Sequence, residues 1–302
     1  MRVNILGVPS SAGAYCVGVE NAPAALRGAG LIDALTASGA EVVDAGDLTR
    51  RTWAPDPDHP FVQNVGAEVE SMRELAGAAS VLLDDDLLIV LGGSCLVAFG
   101  VCAAIAKRGD EPRLVYIDRH LDLNTPDSTN EGSLSWMGMA HALGLDGAAR
   151  ELVEATQAEA VLGAPGLVYL GVDEIQATEW ERSQVRALDI TVVPQVELTE
   201  HPERAARSAL DALGAEPFAV HLDVDVLDFL DAPMAENVNG RNSGPSLAQL
   251  RPAIAELVRR PECRALSIGQ LDPAHAASDP TAIPRLVDVL SSAVAARSST
   301  RR

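Results

Sequence analysis

Two rhythms of apolar and polar residues alternate along the chain. Eight short apolar runs, rich in Val, Ile and Leu, predict strands: RVNILGVP (2–9), EVVDAG (41–46), LLIVLGG (87–93), RLVYIDRH (113–120), GLVYLGV (166–172), ITVVPQ (190–195), FAVHLDVDVL (218–227) and RALSIGQL (264–271). Between them, stretches such as APAALRGAGLIDALTASG (22–39), VGAEVESMRELAGAASVLLD (65–84) and LVAFGVCAAIAKRG (96–109) repeat apolar residues at helical spacing. The alternation predicts βα units, hence a mainly parallel sheet with helices on both faces. No Pro/Ser-rich linker, repeat or low-complexity tract divides the chain, so residues 1–302 read as one domain. The tail from about 297 to 302, RSSTRR, is expected to fray.

Two irregular segments break the rhythm, LNTPDSTNEGSLSW (123–136) and DFLDAPMAENVNGRNSGPS (228–246). Each follows the carboxyl end of an acidic strand, which is where open parallel sheets bind ligands. Long loops inside a domain also tend to be functional.

Both strands carry clustered acids. In IDRHLDLN (117–124), Asp118, His120 and Asp122 occupy alternate positions; strand geometry would aim them to one side and Arg119 to the other. There Arg119 could pair with a carboxylate. In HLDVDVLD (221–228), Asp223 and Asp225 alternate in the same way, with Asp228 and Asp231 following. One such cluster could be a helix cap or an arginine partner. Two clusters, one with an imidazole, point to divalent cations, because converging carboxylates repel unless neutralised. Oxygen donors with a single imidazole suit Mn²⁺ better than a soft ion, one or two ions per chain, and carboxylates could bridge a pair of them.

Composition narrows the function. Apolar residues make up 47% of the chain and aromatics 3%, so small aliphatic side chains must carry the packing of a sizeable core. The net charge of −20 repels nucleic acid and anionic membranes, and serves chiefly solubility. No run approaches the ~18 apolar residues of a membrane span. Cys16, Cys95, Cys102 and Cys263 form no CxxC pair, and the chain opens directly on a strand. Together these predict reduced thiols in a cytoplasmic protein whose partner is a small molecule.

The DxHxD element of IDRHLDLN and the DxD element of HLDVDVLD resemble those of the arginase/agmatinase (ureohydrolase) superfamily. So do LGGSCL (91–96), GVENAPAALRGAGL (18–31) and the loop LNTPDSTNEGSL (123–134), in an order that spans nearly the whole chain. Around Cys95 the chain is similar to an actinobacterial branch that includes the Nω-hydroxy-L-arginine amidinohydrolase. The resemblance implies a three-layer α/β/α fold, a di-manganese centre, a homo-oligomer and hydrolysis of a guanidino C–N bond. It also implies that one metal is held by Asp118, Asp122, Asp223 and residue 95. The other would take Asp118, His120, Asp223 and Asp225, with Asp118 and Asp223 bridging. Asp122 would shuttle the proton of the nucleophilic water, and Asn124 would meet the substrate's α-carboxylate.

Several positions depart from that pattern. Cys95 stands where most of the superfamily has a ligand His, and Ser94 replaces the acid beside it. Ser135 replaces a proton-relay His, so the relay would be lost or carried by water or His141, itself expected to be a helix-surface or packing residue. Gln270 occupies the place of the Glu that pairs with the guanidinium. Gln176 replaces an Asp that contacts the α-ammonium, while Glu179 keeps an acid nearby. These changes argue for a substrate other than plain L-arginine. The competing reading is an impaired homologue that serves as a binding or regulatory subunit. A nucleotide binder is weaker, since LGGSC lacks P-loop or GxGxxG spacing.

Overall fold

Every predicted apolar run contains a strand: β1 (Arg2–Gly7), β2 (Glu41–Asp47), β3 (Leu87–Leu91), β4 (Leu114–Ile117), β5 (Leu167–Val172), β6 (Thr191–Pro194), β7 (Phe218–Asp223) and β8 (Cys263–Gly269). The structure is a computed structural model that describes residues 1–83, 86–156, 160–237 and 242–300. The strands form one sheet of order β2-β1-β3-β8-β7-β4-β5-β6, with all neighbours parallel.

Strands β3, β4, β5 and β7 are buried at every residue, because helices cover both faces of the sheet. Alternate side chains sort into two cores. Leu87, Ile89, Leu91, Val115, Ile117, Val220 and Leu222 pack with Leu35, Leu210, Leu250 and Leu290. Those last four lie on the helices Leu31–Ala37, Pro202–Leu213, Leu247–Val258 and Ala282–Thr300. Leu88, Val90, Leu114, Tyr116 and Tyr169 face the other way, against Met72 and Leu75 of Val65–Leu82 and Phe99 and Val101 of Leu96–Lys107. The fold is therefore the expected three-layer α/β/α arrangement.

Sheet order explains how the acidic motifs meet. Four neighbouring strands, β3, β8, β7 and β4, end in Cys95, Gln270, the Asp223/Asp225 pair and the Asp118–Asp122 segment. Their carboxyl ends stand side by side because all run in one direction.

Two expectations need correction. Residues 301 and 302 lie outside the described ones; up to there the tail is helical through Thr300, and Arg297 is fully buried. Its guanidinium donates to the carbonyls of Val258, Arg260 and Cys263 at 3.2, 2.8 and 2.6 Å. A cation there satisfies free carbonyls at a helix C-terminus, a role that Ser/Arg-rich composition conceals. Secondly, β4 stops at Ile117 and β7 at Asp223, so strand alternation does not govern the acidic motifs beyond them.

Candidate metal centre

Past β4 the backbone bends, and Asp122 adopts a left-handed conformation with φ 50°. That conformation is costly for a residue with a Cβ and persists only where surroundings enforce it. The turn folds Asp118, His120 and Asp122 towards one another. Beyond β7, Val224–Val226 forms a 3₁₀ turn in which the Asp225 amide donates to Asp223 Oδ1 at 2.7 Å. Beyond β3, the Gly92–Gly93 pair lets backbones close in: a Cβ on Gly92 would sit 1.9 Å from the Ile268 carbonyl oxygen, and one on Gly93 2.0 Å from that of Ser10. This close approach sets Cys95 against the acids, at the start of the helix Leu96–Lys107.

Ligand atoms of Cys95, Asp118 and Asp122 lie within 4.8 Å of one another, and so do those of Asp118, His120 and Asp225. Asp118 belongs to both groups. His120 Nδ1 is 3.3 Å from Asp118 Oδ1 and 3.2 Å from Asp225 Oδ2. The backbone amide of His120 also donates to Asp118 Oδ1, at 2.7 Å. Asp223 is in neither three-residue group. Its Oδ2 accepts from the Cys95 thiol at 2.6 Å.

Electrostatics favour a cation. Burial and then Asp225 raise Asp118 to about 6, while burial and then Asp118 hold Asp122 well above the usual carboxylate range. Asp223 is raised by burial and by Asp225. Burial alone would lower His120, but Asp225 and Asp118 outweigh it and raise the imidazole. Buried acids that resist ionisation are neutralised by divalent ions. Asp118 Oδ2 is buried with no hydrogen-bond partner among the described residues. This free oxygen and the convergent oxygen, imidazole and thiol donors fit a metal centre.

The centre opens into a narrow cleft lined by Cys95, His120, Asp122, Ser135, Trp136, Asp223, Asp225, Glu236, Asn237 and Gln270. A wider cavity of about 630 Å³ lies at the opposite end of the strands, with both charge signs on its wall (Arg108, Asp110, Glu111, Arg113, Glu216, Arg264) and none of these donors.

The structure brings some predicted residues into the cleft and not others. Ser135 lines it, its hydroxyl 2.8 Å from that of Ser133. Gln270 lines it with φ 59° and 5% exposure. Gln176 is placed behind His120, with Oε1 3.2 Å from Nε2 and its own amide donating to Asp173. Asn124 is buried, and its side-chain carbonyl accepts from Ser128 and Thr178 at 3.1 and 3.2 Å. Glu179 is not brought to the site. It opens the helix Glu179–Ala187 with its side chain 74% exposed and pairs with Arg182 and Arg186.

Arg119 is fully buried, and its guanidinium donates to the Ser243 carbonyl at 2.6 Å. It ties the β4 turn to the loop after β7. His141 is buried in packing, not on a surface: Nδ1 lies 2.6 Å from the Met137 carbonyl, and Nε2 accepts from the Ala149 amide at 3.1 Å. With burial lowering it to about 4, it stays neutral and outside the cleft, so it is no relay.

Four residues of the site, Tyr116, Trp136, Glu236 and Asn237, were missed. Tyr116 donates to Asp122 Oδ2 at 2.5 Å and stacks on His221, with ring centroids 4.9 Å apart. Within an apolar strand it reads as core. Trp136 covers His120, centroids 5.6 Å apart. Glu236 comes from the long segment after β7, where no spacing marks it.

Fold and site together define a three-layer α/β protein with an acidic cluster of candidate metal donors at the carboxyl ends of its central strands. The sequence model of the Arginase family matches residues 1–293, and the chain belongs to that family. That membership carries binuclear metal dependence and amidino-type hydrolysis at the family level. The chain is 27% identical to arginase-1 of Oryctolagus cuniculus over 231 residues, 76% of this chain and 71% of that one. Arginase from Bacillus subtilis superposes with a TM-score of 0.84 at 24% identity, covering 97% of this chain and 98% of that one. Proclavaminate amidino hydrolase from Streptomyces clavuligerus superposes with a TM-score of 0.71 at 15% identity, covering 98% and 92%.

Proposed function

We propose that this protein hydrolyses the C–N bond of a guanidino or amidino group in a small molecule other than plain L-arginine, with Mn²⁺ as its metal. The observation that carries this reading is Asp118, shared between two donor groups whose other members, Cys95, Asp122, His120 and Asp225, line one cleft. Cys95, Asp118, Asp122 and Asp223 would hold one ion, and Asp118, His120, Asp223 and Asp225 the other. Divalent ions bound there supply Lewis acidity that makes water a nucleophile near neutral pH.

The chain's own residues handle the substrate and the proton. Asp122, held by the Tyr116 hydroxyl, is the base that takes the proton of the attacking water. Water adds to the amidino carbon, the C–N bond breaks, and Asp122 returns the proton to the departing amine. A guanidine yields urea or a substituted urea, and an amidine yields an amide. Ser135 lacks the basicity to relay a proton near neutral pH, which leaves this duty to Asp122.

The wall of the cleft supports a substrate other than arginine. Gln176 is engaged with His120, Asn124 has its carbonyl occupied, and Glu179 faces solvent. None of the three lines the cleft, so contacts suited to an amino-acid end are not assembled there. The occurrence of proclavaminate amidino hydrolase on this fold supports an amidino substrate beyond arginine.

A product assay tests the proposal. Protein purified without chelator and loaded with Mn²⁺ is given arginine, Nω-hydroxyarginine, agmatine, guanidino acids and a formimidoyl amino acid. Release of urea, a substituted urea or an amide from a compound other than arginine is expected. Failure across the panel with metal bound would leave the binding-subunit reading instead.

A further inference from the structure

We propose that Glu236, working beside Gln270, reads the positive charge of the substrate's reacting group and so sets specificity for an amidinium or guanidinium over a neutral amide or urea. The inference rests on the amidino-hydrolase reading of the site.

Glu236 lines the cleft and is 7% exposed. Its Oε1 accepts from the backbone amides of Tyr15 and Cys16, both at 3.2 Å, and from the Cys16 thiol at 3.5 Å. Three donors on one oxygen fix the carboxylate from the loop after β1. Oε2 has no hydrogen-bond partner among the described residues and remains to accept from a ligand.

Gln270 is coupled to Glu236 through the backbone. Its carbonyl accepts from the Glu236 amide at 2.8 Å, its own amide donates to Gly93 at 2.9 Å, and Ala235 bridges Leu271. These bonds hold the left-handed φ of Gln270 and keep both side chains at one wall. Gln270 Oε1 is buried and has no hydrogen-bond partner among the described residues. A carboxylate and an amide acceptor on one wall match a planar cation that carries several N–H groups.

Charge balance points the same way. Asp118, Asp122, Asp223, Asp225 and a Cys95 thiolate would already match or exceed the charge of two divalent ions, so Glu236 would stand as an uncompensated carboxylate in the cleft. An uncompensated buried acid favours a cationic guest and disfavours a neutral one.

The test uses the Mn²⁺-loaded protein with Glu236→Gln, which keeps an acceptor for the Tyr15 and Cys16 amides but loses the charge. For the best substrate of the panel, KM should rise by on the order of tenfold to a hundredfold, as expected for a lost charge-assisted bond. Calorimetry with n-butylguanidine and neutral n-butylurea gives a readout independent of turnover. The wild type should prefer the cation, Glu236→Gln should lose that preference, and Glu236→Asp should keep part of it. Metal content and melting temperature should match the wild type. An unchanged KM with intact cation preference would overturn the inference alone, as would loss of metal or equal weakening of both probes. A metal-loaded wild type that turns over no panel compound and binds neither probe would sink the amidino-hydrolase reading, and this inference with it.

Discussion

Gln176 Oε1 sits 3.2 Å from His120 Nε2, while Nδ1 of the same ring faces Asp118 and Asp225. The amide carbonyl favours a hydrogen on Nε2, which leaves Nδ1 as the atom that would meet a metal once its own proton is displaced. Gln176 is thereby a positioning residue for His120. Replacing it with Ala should weaken metal binding by roughly tenfold to a hundredfold, the range typical of residues that orient a ligand. Titration with Mn²⁺ checks this. A substrate-contact role would instead raise KM and leave metal affinity unchanged.

Cys95 makes the two donor groups unequal. Burial and then Asp223 hold its thiol well above the ordinary range, so binding an ion must first displace a proton. The thiolate is also softer than Mn²⁺ prefers. The ion at Cys95 should therefore be the weaker of two, and Cys95→His should raise its occupancy. Elemental analysis across a Mn²⁺ titration decides the matter; equal filling of both sites in the wild type would contradict it.

Asp118 serves the site at a cost to the metal-free fold. Its folded pKa is raised from 3.8 to about 6, so its stabilising share is complete below pH 3.8 and is lost as pH rises towards 6. Asp118→Asn should stabilise the chelator-treated protein at pH 7 by on the order of a kcal/mol or more. Melting curves with and without chelator should show this gain together with loss of metal binding.

His141 shifts with the opposite sign. Burial lowers it from 6.5 to about 4, so the stability it contributes is complete above pH 6.5 and lost as pH falls through 4. His141→Asn keeps one polar contact and removes the titration. Its deficit relative to the wild type should shrink by about 3 kcal/mol between pH 7 and 4. Denaturant unfolding at several pH values measures the gap, and a constant gap would show that His141 does not titrate with unfolding.

The layered fold was legible because each strand run is short, apolar and followed by a helical segment. The candidate donors were legible for a related reason: Asp118, His120 and Asp122 are close in sequence, as are Asp223 and Asp225. Alternation explained their convergence wrongly, since turns and the left-handed Asp122 bring it about. Contacts set by loops from different strands were hidden. Glu236 meets Gln270 only because β7 and β8 are neighbours and residues 234–236 pair with 270–272. The placement of Glu179 was hidden too: its acid stands at the start of a helix whose exposed face carries Arg182 and Arg186. The nearby Thr178-x-x-Glu181 signature marks a helix cap, with Glu181 buried at that cap.

The most direct measurement follows bound metal and C–N cleavage in one sample as Mn²⁺ is titrated into chelator-treated protein. Release of urea, a substituted urea or an amide from a guanidino or amidino compound should rise in step with bound ion. Both should be absent from Asp118→Asn. A protein that fills with Mn²⁺ yet cleaves no such compound, or cleaves one equally well without metal, would contradict the account.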